Sequence, residues 1–363
     1  MIISNKPNDT RFAGLDLYRS AGLMIILTMH FLMRLGMSPS ALQRTSLWTI
    51  DLFFVFSGYL VSRSIFQAFA KGQQPRVFRF YLARILRTWP AYFAVLPLFY
   101  FFFPATDVER FPPLWQLLTF SQNLNLEMNR LAFTWSLCVE EQFYFLLPLL
   151  CLVAWTRFQR RGLVVLAIVL VVGGGLLRAG LSEAVLSSPT RVPTYLRLIY
   201  FPIWSRLDSL VAGVAVSAIQ FLWPSLWERC VARSRAILIF GICTFVLGCL
   251  VHVQMVSIHA IVFGFPLVAL GLSCVIFEAV SGRSIFDGVK IPAAQYVAAR
   301  SYSMYLVHPV ALTMVMRTFK DYGLNEASLL CYLACVGASL AAGVVIYQII
   351  ERPMYELRHR FLA

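Results

Sequence analysis

The chain alternates long apolar stretches with short polar connectors, and most of these stretches approach the roughly 20 residues that carry a helix across a bilayer. Ten of them can be drawn, at 15–35, 48–70, 87–103, 131–155, 162–180, 198–222, 236–252, 258–280, 296–316 and 328–350. Hydrocarbon offers the backbone no partners, so segments of this length satisfy themselves as helices. The pattern predicts an all-α, polytopic integral membrane protein with about ten transmembrane helices. Residues 1–350 read as a single transmembrane domain and 351–363 as a short cytoplasmic tail. Residues 1–14 are polar and lack a small-residue cleavage pattern, so the first span is expected to be an uncleaved anchor.

Composition agrees: 59% of the residues are hydrophobic and 13% charged, too little polar surface to cover a soluble globule of this size. The net charge of +14 would suit nucleic acid, but its distribution argues against that partner. With connectors alternating inside and outside, the inside ones carry the larger share of the 31 Lys and Arg. Both termini are therefore expected in the cytoplasm. The basic balance then serves topology, and draws anionic lipid or an anionic cytoplasmic ligand. Trp48, Trp89, Trp155, Tyr195 and Trp223 lie near span ends and suit interfacial belts. The eight cysteines fall almost entirely in apolar segments without a C-x-x-C pair, and read as buried thiols with no metal site and no disulfide. The largest outer connector, about 104–130, contains Pro104, Pro112, Pro113 and "SQNLNLEMNR", and is long enough to shape a substrate site.

Ionisable residues inside spans are the candidates for function, because each costs about 2.5–3.5 kcal/mol at mid-membrane. They are Asp16, Arg19, His30, Asp51, Glu140, Glu141, Arg206, Asp208 and His308, with Glu278 near a span end. In "LDLYRSAGLMIILTMH", Arg19 and His30 stand eleven residues apart, close to three helical turns, and project from nearly the same face. Asp51 heads "DLFFVFSGYL" at a depth similar to that of His30. An Asp51–His30 pair would neutralise the carboxylate and orient the imidazole as a general base; the bland alternative is a structural lock between two helices.

Arg84 and Arg87 in "FYLARILRTWPAY" share one helical face and read as positive-inside charge or, with Arg19, as an anionic cofactor pocket. Glu140 and Glu141 point about 100° apart and so meet different partners, in salt bridges or in catalysis. Arg206 and Asp208, two residues apart, cannot face each other; each needs a partner on another helix, which favours architecture. His308 in "SYSMYLVHP" reads as a satisfied core histidine or a second base, with Pro309 kinking the helix after it. His252, His259 and His359 read as incidental, and "IIERP" marks where the last span meets the cytoplasm.

In this order, "LDLYRSAGLMIILTMH", "DLFFVFSGYL", "FYLARILRTWPAY", "WSLCVEEQFYFLLP", "FPIWSRLDSLVAG", "SYSMYLVH" and the closing "ERP" resemble the acyltransferase 3 family over nearly the whole chain. The resemblance implies a bacterial inner-membrane enzyme that moves an acyl group, usually acetyl from acetyl-CoA, to a hydroxyl of a cell-envelope glycan or glycolipid. Lipopolysaccharide and exopolysaccharide are acceptors of this kind. In the family's pattern His30 takes the position of the essential histidine. Arg19, Arg84 and Arg87 take those linked to donor handling, and Asp51, Glu140 and Glu141 the other acidic positions. The expected course has CoA phosphates held among the arginines and the pantetheine arm running along the first span to His30, which acts as base or as acyl carrier. The competing class is a transporter or flippase for an envelope glycan or small anionic substrate, since intramembrane charges also mark substrate paths. Such a protein would not consume acyl-CoA.

Overall fold

The computed structural model describes residues 13–37, 41–102, 111–125, 131–289 and 291–362, and no strand occurs among them. Of the outer connector expected to shape a substrate site, Pro104 and the run "LEMNR" lie outside the described residues, as does most of the polar amino-terminal segment. The principal helices are α1 (Ala13–Arg34), α2 (Ala41–Ala70), α3 (Val77–Phe102), α4 (Leu114–Leu118), α5 (Trp135–Ser187), α6 (Arg191–Tyr195) and α7 (Leu207–Leu222). After them come α8 (Pro224–Val231), α9 (Ser234–Val251), α10 (Phe265–Val280), α11 (Pro292–Asp321), α12 (Leu329–Ile346) and α13 (Arg352–Leu362).

Among the described residues seven helices are long and apolar enough to cross a membrane, or eight if the bent pair α7 and α8 counts as one crossing. The all-helical, multi-pass expectation therefore holds. The ten stretches drawn from sequence map onto these helices unevenly. The 53-residue α5 takes in most of 131–155 and all of 162–180. It breaks at Gln159, where φ is 49° and ψ is −130°. A Cβ on Gly162 would stand 2.1 Å from the carbonyl oxygen of Ala154, eight residues earlier. In a straight helix eight residues span about 12 Å, so the chain folds back at this break, and only glycine fits there. The 16-residue α7 is short for a span. The 30-residue α11 carries Arg300, Ser301, Ser303 and His308 along its length and is less apolar than the seven. Large apolar side chains such as Phe145, Val165 and Ile239 stand exposed, as lipid-facing surfaces do. Trp48 and Tyr195, assigned to interfacial belts from sequence, are instead buried.

The described residues group into two compact units. The first lies within Met1–Thr49, Val77–Val108 and Phe286–Ala363. In it α11 packs against α1, α3 and α12, and α13 packs against α3. Ser328 caps α12, accepting from the Cys331 N–H at 3.1 Å, and Pro292 opens α11 where a missing N–H costs nothing. The helix α3 begins ten residues before the predicted span. Arginine is a good helix former whose aliphatic stem tolerates apolar surroundings, so hydropathy alone places the start too late.

The second unit lies within Ile50–Arg76 and Glu109–Ile285. Its α2 and α7 touch backbone to backbone through two glycines. A Cβ on Gly58 would fall 2.0 Å from the Leu210 carbonyl oxygen, and one on Gly213 would fall 2.0 Å from that of Val55. Small residues at a helix crossing are the membrane solution to close packing. The spacing 51, 55 and 58 keeps Asp51 on the face of α2 that carries this contact. Gly213→Val should therefore lower stability by about 1–3 kcal/mol or more, read as a fall in melting temperature in detergent. Gly173→Val, where nothing lies within 4 Å of the added Cβ, should leave it unchanged.

Candidate active site

In the first unit, α1 carries both Arg19 and His30, about 16 Å apart along the axis at 1.5 Å per residue. His30 is partly exposed. Its Nδ1 lies 2.9 Å from the carbonyl oxygen of Ile26, one turn earlier. A carbonyl can only accept, so Nδ1 carries the proton and Nε2 presents a lone pair. Among the described residues nothing is hydrogen-bonded to that Nε2.

The ring of His308, on α11, meets the His30 ring edge to face, with centroids 4.8 Å apart. Its orientation follows from the next residue. Pro309 has no N–H to give the Tyr305 carbonyl four residues earlier, and the His308 Nδ1 takes that carbonyl at 2.6 Å. The helix therefore continues through Pro309 to Asp321. The Pro309 carbonyl in turn accepts from Arg34 Nη2 at 3.3 Å. Arg34 stands one turn beyond His30 on α1, so a guanidinium adjoins the pair of imidazoles. Sequence reasoning had given Arg34 no part, since a charge at a span end reads as topology.

The arginines expected at the cytoplasmic end also lie in this unit. Arg19 Nη2 donates to Ser301 Oγ at 2.8 Å. Arg84 and Arg87 lie on α3, tied to α11 by the Tyr302 hydroxyl, which donates to the Thr88 carbonyl at 2.8 Å. Arg87 lines a cavity of about 10 Å³ with Leu86, Glu351, Tyr355 and Arg358. Glu351 accepts from Ser303 Oγ and lies within Coulombic reach of Arg87 and Arg19. One buried carboxylate thus organises a basic cluster that sequence reading had treated as the mere end of a span.

The second unit holds Asp51, Asp208, Glu140 and Glu141. Asp51 accepts from Arg206 Nη2 at 2.8 Å and from Ser209 Oγ at 2.7 Å. The expected Asp51–His30 pair would join residues of different units, and these are the partners Asp51 has within its own. Each carboxylate oxygen accepts one of these hydrogen bonds, and the His30 Nδ1 donates to Ile26. Charge explains the outcome, because an isolated buried guanidinium is far more costly than an unpaired neutral imidazole. Arg206 is 1% exposed, and the rings of Phe265, Tyr200, Trp135 and Phe54 surround it with centroids 4.6 to 5.7 Å from its central carbon. Its Nε and Nη1 have no hydrogen-bond partner among the described residues, so the aromatic faces stabilise that side of the cation.

Asp208 is held by Arg178 through a fork of 2.6 Å and 3.1 Å. The sequence required a partner for both Arg206 and Asp208 on other helices, and both have one. Arg178, wholly buried, was missed, although a lone arginine inside an apolar run is the signal that would have marked it. Glu140 accepts from Ser57 Oγ at 2.5 Å, while Glu141 is half-buried beside it. His252, set aside as incidental, is buried with its Nε2 3.1 Å from the Tyr195 hydroxyl.

Comparison with known proteins places this architecture. The profile of the acyltransferase domain family matches residues 12–348, and the chain belongs to that family. It is 23% identical over 337 residues to the peptidoglycan O-acetyltransferase OatA of Listeria monocytogenes, covering 84% of this chain and 50% of that protein. It is 24% identical over 329 residues to the O-acetyltransferase OatA of Staphylococcus aureus, covering 84% of this chain and 52% of that one. The chain thus spans about half the length of these curated relatives. No solved structure matches it.

The pairing of Asp51 with Arg206 can be tested through stability. Asp51→Asn leaves a buried guanidinium without its counter-ion and should cost about 3–5 kcal/mol, read as a lowered melting temperature in detergent. A carboxylate serving only to steady a histidine would leave the melting temperature unchanged when replaced by its amide.

Proposed function

We propose that this chain is a membrane O-acyltransferase. It moves an acyl group, acetyl in the simplest case, from acyl-CoA to a hydroxyl of a cell-envelope polysaccharide or glycolipid in a bacterial inner membrane. The observation that carries the reading is His30. It is a partly exposed imidazole whose Nδ1 proton is committed to Ile26, leaving Nε2 as a base, in a chain of the acyltransferase domain family. The named relatives, an O-acetyltransferase and a peptidoglycan O-acetyltransferase, support both the acetyl group and a glycan acceptor. The topology proposed with it has ten crossings and cytoplasmic termini, supported by the fold-back of α5 at Gln159 and by the distribution of Lys and Arg.

In this reading the CoA phosphates meet Arg19, Arg84 and Arg87, whose forks suit phosphate oxygens, and the pantetheine arm follows α1 towards His30. In direct transfer, Nε2 takes the acceptor hydroxyl proton as the oxygen attacks the thioester carbonyl. The tetrahedral oxyanion then collapses, the C–S bond breaks, and the CoA thiolate takes the proton back from the imidazolium. In the covalent route Nε2 itself attacks the thioester and expels the CoA thiolate, giving an acyl-imidazolium; the acceptor oxygen later displaces the imidazole, and the hydroxyl proton passes to the thiolate. Either way negative charge develops near Arg34, which the Pro309 carbonyl holds beside the rings and which stabilises it. Asp51 serves as counter-ion to Arg206.

Purified protein incubated with labelled acetyl-CoA and an envelope glycan preparation tests the assignment. His30→Ala should lower transfer by about 10²–10⁴-fold at matched protein level and melting temperature; transfer that survives the substitution would refute both routes. Arg87→Ala should raise KM for acetyl-CoA about tenfold, equivalent to about 1.4 kcal/mol of donor binding. An unchanged KM would remove Arg87 from the donor site. A protein that moves substrate without consuming acetyl-CoA would be the transporter.

A further inference from the structure

The second unit contains a cavity that the proposed acyl transfer does not use. Its volume is about 250 Å³, and its walls include Phe66 of α2, Phe143 and Cys151 before the α5 break, Leu163 after it, Val211 of α7, and Trp223. Every wall residue is hydrophobic. A water takes up about 30 Å³ of liquid, and an apolar cavity of such size stays dry and receives apolar guests. Val164 and Ile168 line it and are each about half exposed, so the hollow opens on a lipid-facing surface. Its natural content is hydrocarbon chain.

The rim is not neutral. The Arg160 guanidinium lies over the ring of the wall residue Trp223, 5.9 Å from its centroid. Arg161 follows it, two residues before Leu163 in the wall, and Arg157 precedes both in the turn where α5 folds back. All three are exposed, and no acidic residue occurs between Glu141 and Glu183. An apolar hollow edged by arginines that make no ion pair among the described residues complements one chemistry, a fatty chain ending in an anionic phosphate.

We infer that this cavity is a binding site for an anionic diacyl phospholipid, with one acyl chain between the two halves of α5 and α7 and the phosphate headgroup on Arg160 and Arg161. The site uses none of the donor arginines, and its occupancy does not depend on the proposed acyl transfer. A bound chain would wedge the turn at Gln159 and Gly162, the one point where α5 reverses.

Native mass spectrometry of the delipidated, detergent-purified protein tests this. It would be titrated with dioleoyl phosphatidylglycerol and, separately, with dioleoyl phosphatidylcholine, which carries the same chains. The expected result is one tightly held phosphatidylglycerol per chain, with an apparent affinity about tenfold or more above that of phosphatidylcholine. Arg160→Ala with Arg161→Ala should abolish the difference between the two lipids, and both residues are exposed, so the fold is spared. Ala215→Phe, which fills the cavity from its wall, should weaken both lipids. Equal affinity for the two lipids, a preference unchanged in the double arginine variant, or binding indifferent to Ala215→Phe would overturn the site. Displacement of the phosphatidylglycerol by equimolar palmitoyl-CoA would assign the cavity to an acyl-CoA instead, and would overturn it too.

Discussion

Hydrocarbon provides no hydrogen bonds, so a polar group placed in it must be matched from within the protein. That constraint orders most of what is charged here. Arg206 sits between Asp51 and four aromatic faces. Arg178 grips Asp208 with both arms of its fork. The carbonyl that Pro309 strands on Tyr305 is taken by the ring of His308. His30 differs from the neighbouring His308 in being partly exposed. Its Nδ1 is spent on Ile26, and its Nε2 is left basic. In a membrane such an incomplete match is costly, and function is its ordinary reason.

The two units divide the polar work differently. In the first, the imidazoles, Arg34 and the arginine cluster about Glu351 are the groups proposed to bind or react. In the second, the ion pairs and the glycine contact between α2 and α7 hold helices in register. Asp51 belongs with the latter. Breaking such a buried pair is far more damaging than its modest net contribution would imply, because the survivor is left charged in a medium that cannot solvate it.

Much of this was legible from residue order. Helical content and the multi-pass character follow from the length of the apolar runs. The isolation of Arg206 from Asp208 follows from their i,i+2 spacing, which the structure answers with Asp51 and Arg178. The reversal within α5 was visible as the charged run "RFQRRG" between two apolar stretches. What sequence could not give was the choice among partners at similar depth. Depth made Asp51 a plausible companion for His30, while the guanidinium it meets within its own unit depends on the placement of α7 against α2. Glu351 escaped for a related reason. A carboxylate at a span end looks like a boundary until the helices bring Ser303 and the arginines to it.

The claim on which the account turns is the tautomer of His30, and solid-state ¹⁵N NMR of histidine-labelled protein in lipid bilayers reads it directly. The difference between the wild-type and His30→Gln spectra isolates the two ring nitrogens of this residue. The account predicts a protonated, hydrogen-bonded Nδ1 and an unprotonated Nε2 at neutral pH. A spectrum with the proton on Nε2 and a bare Nδ1 would contradict it, for the lone pair would then face the Ile26 carbonyl and no base would remain where the acyl group must pass.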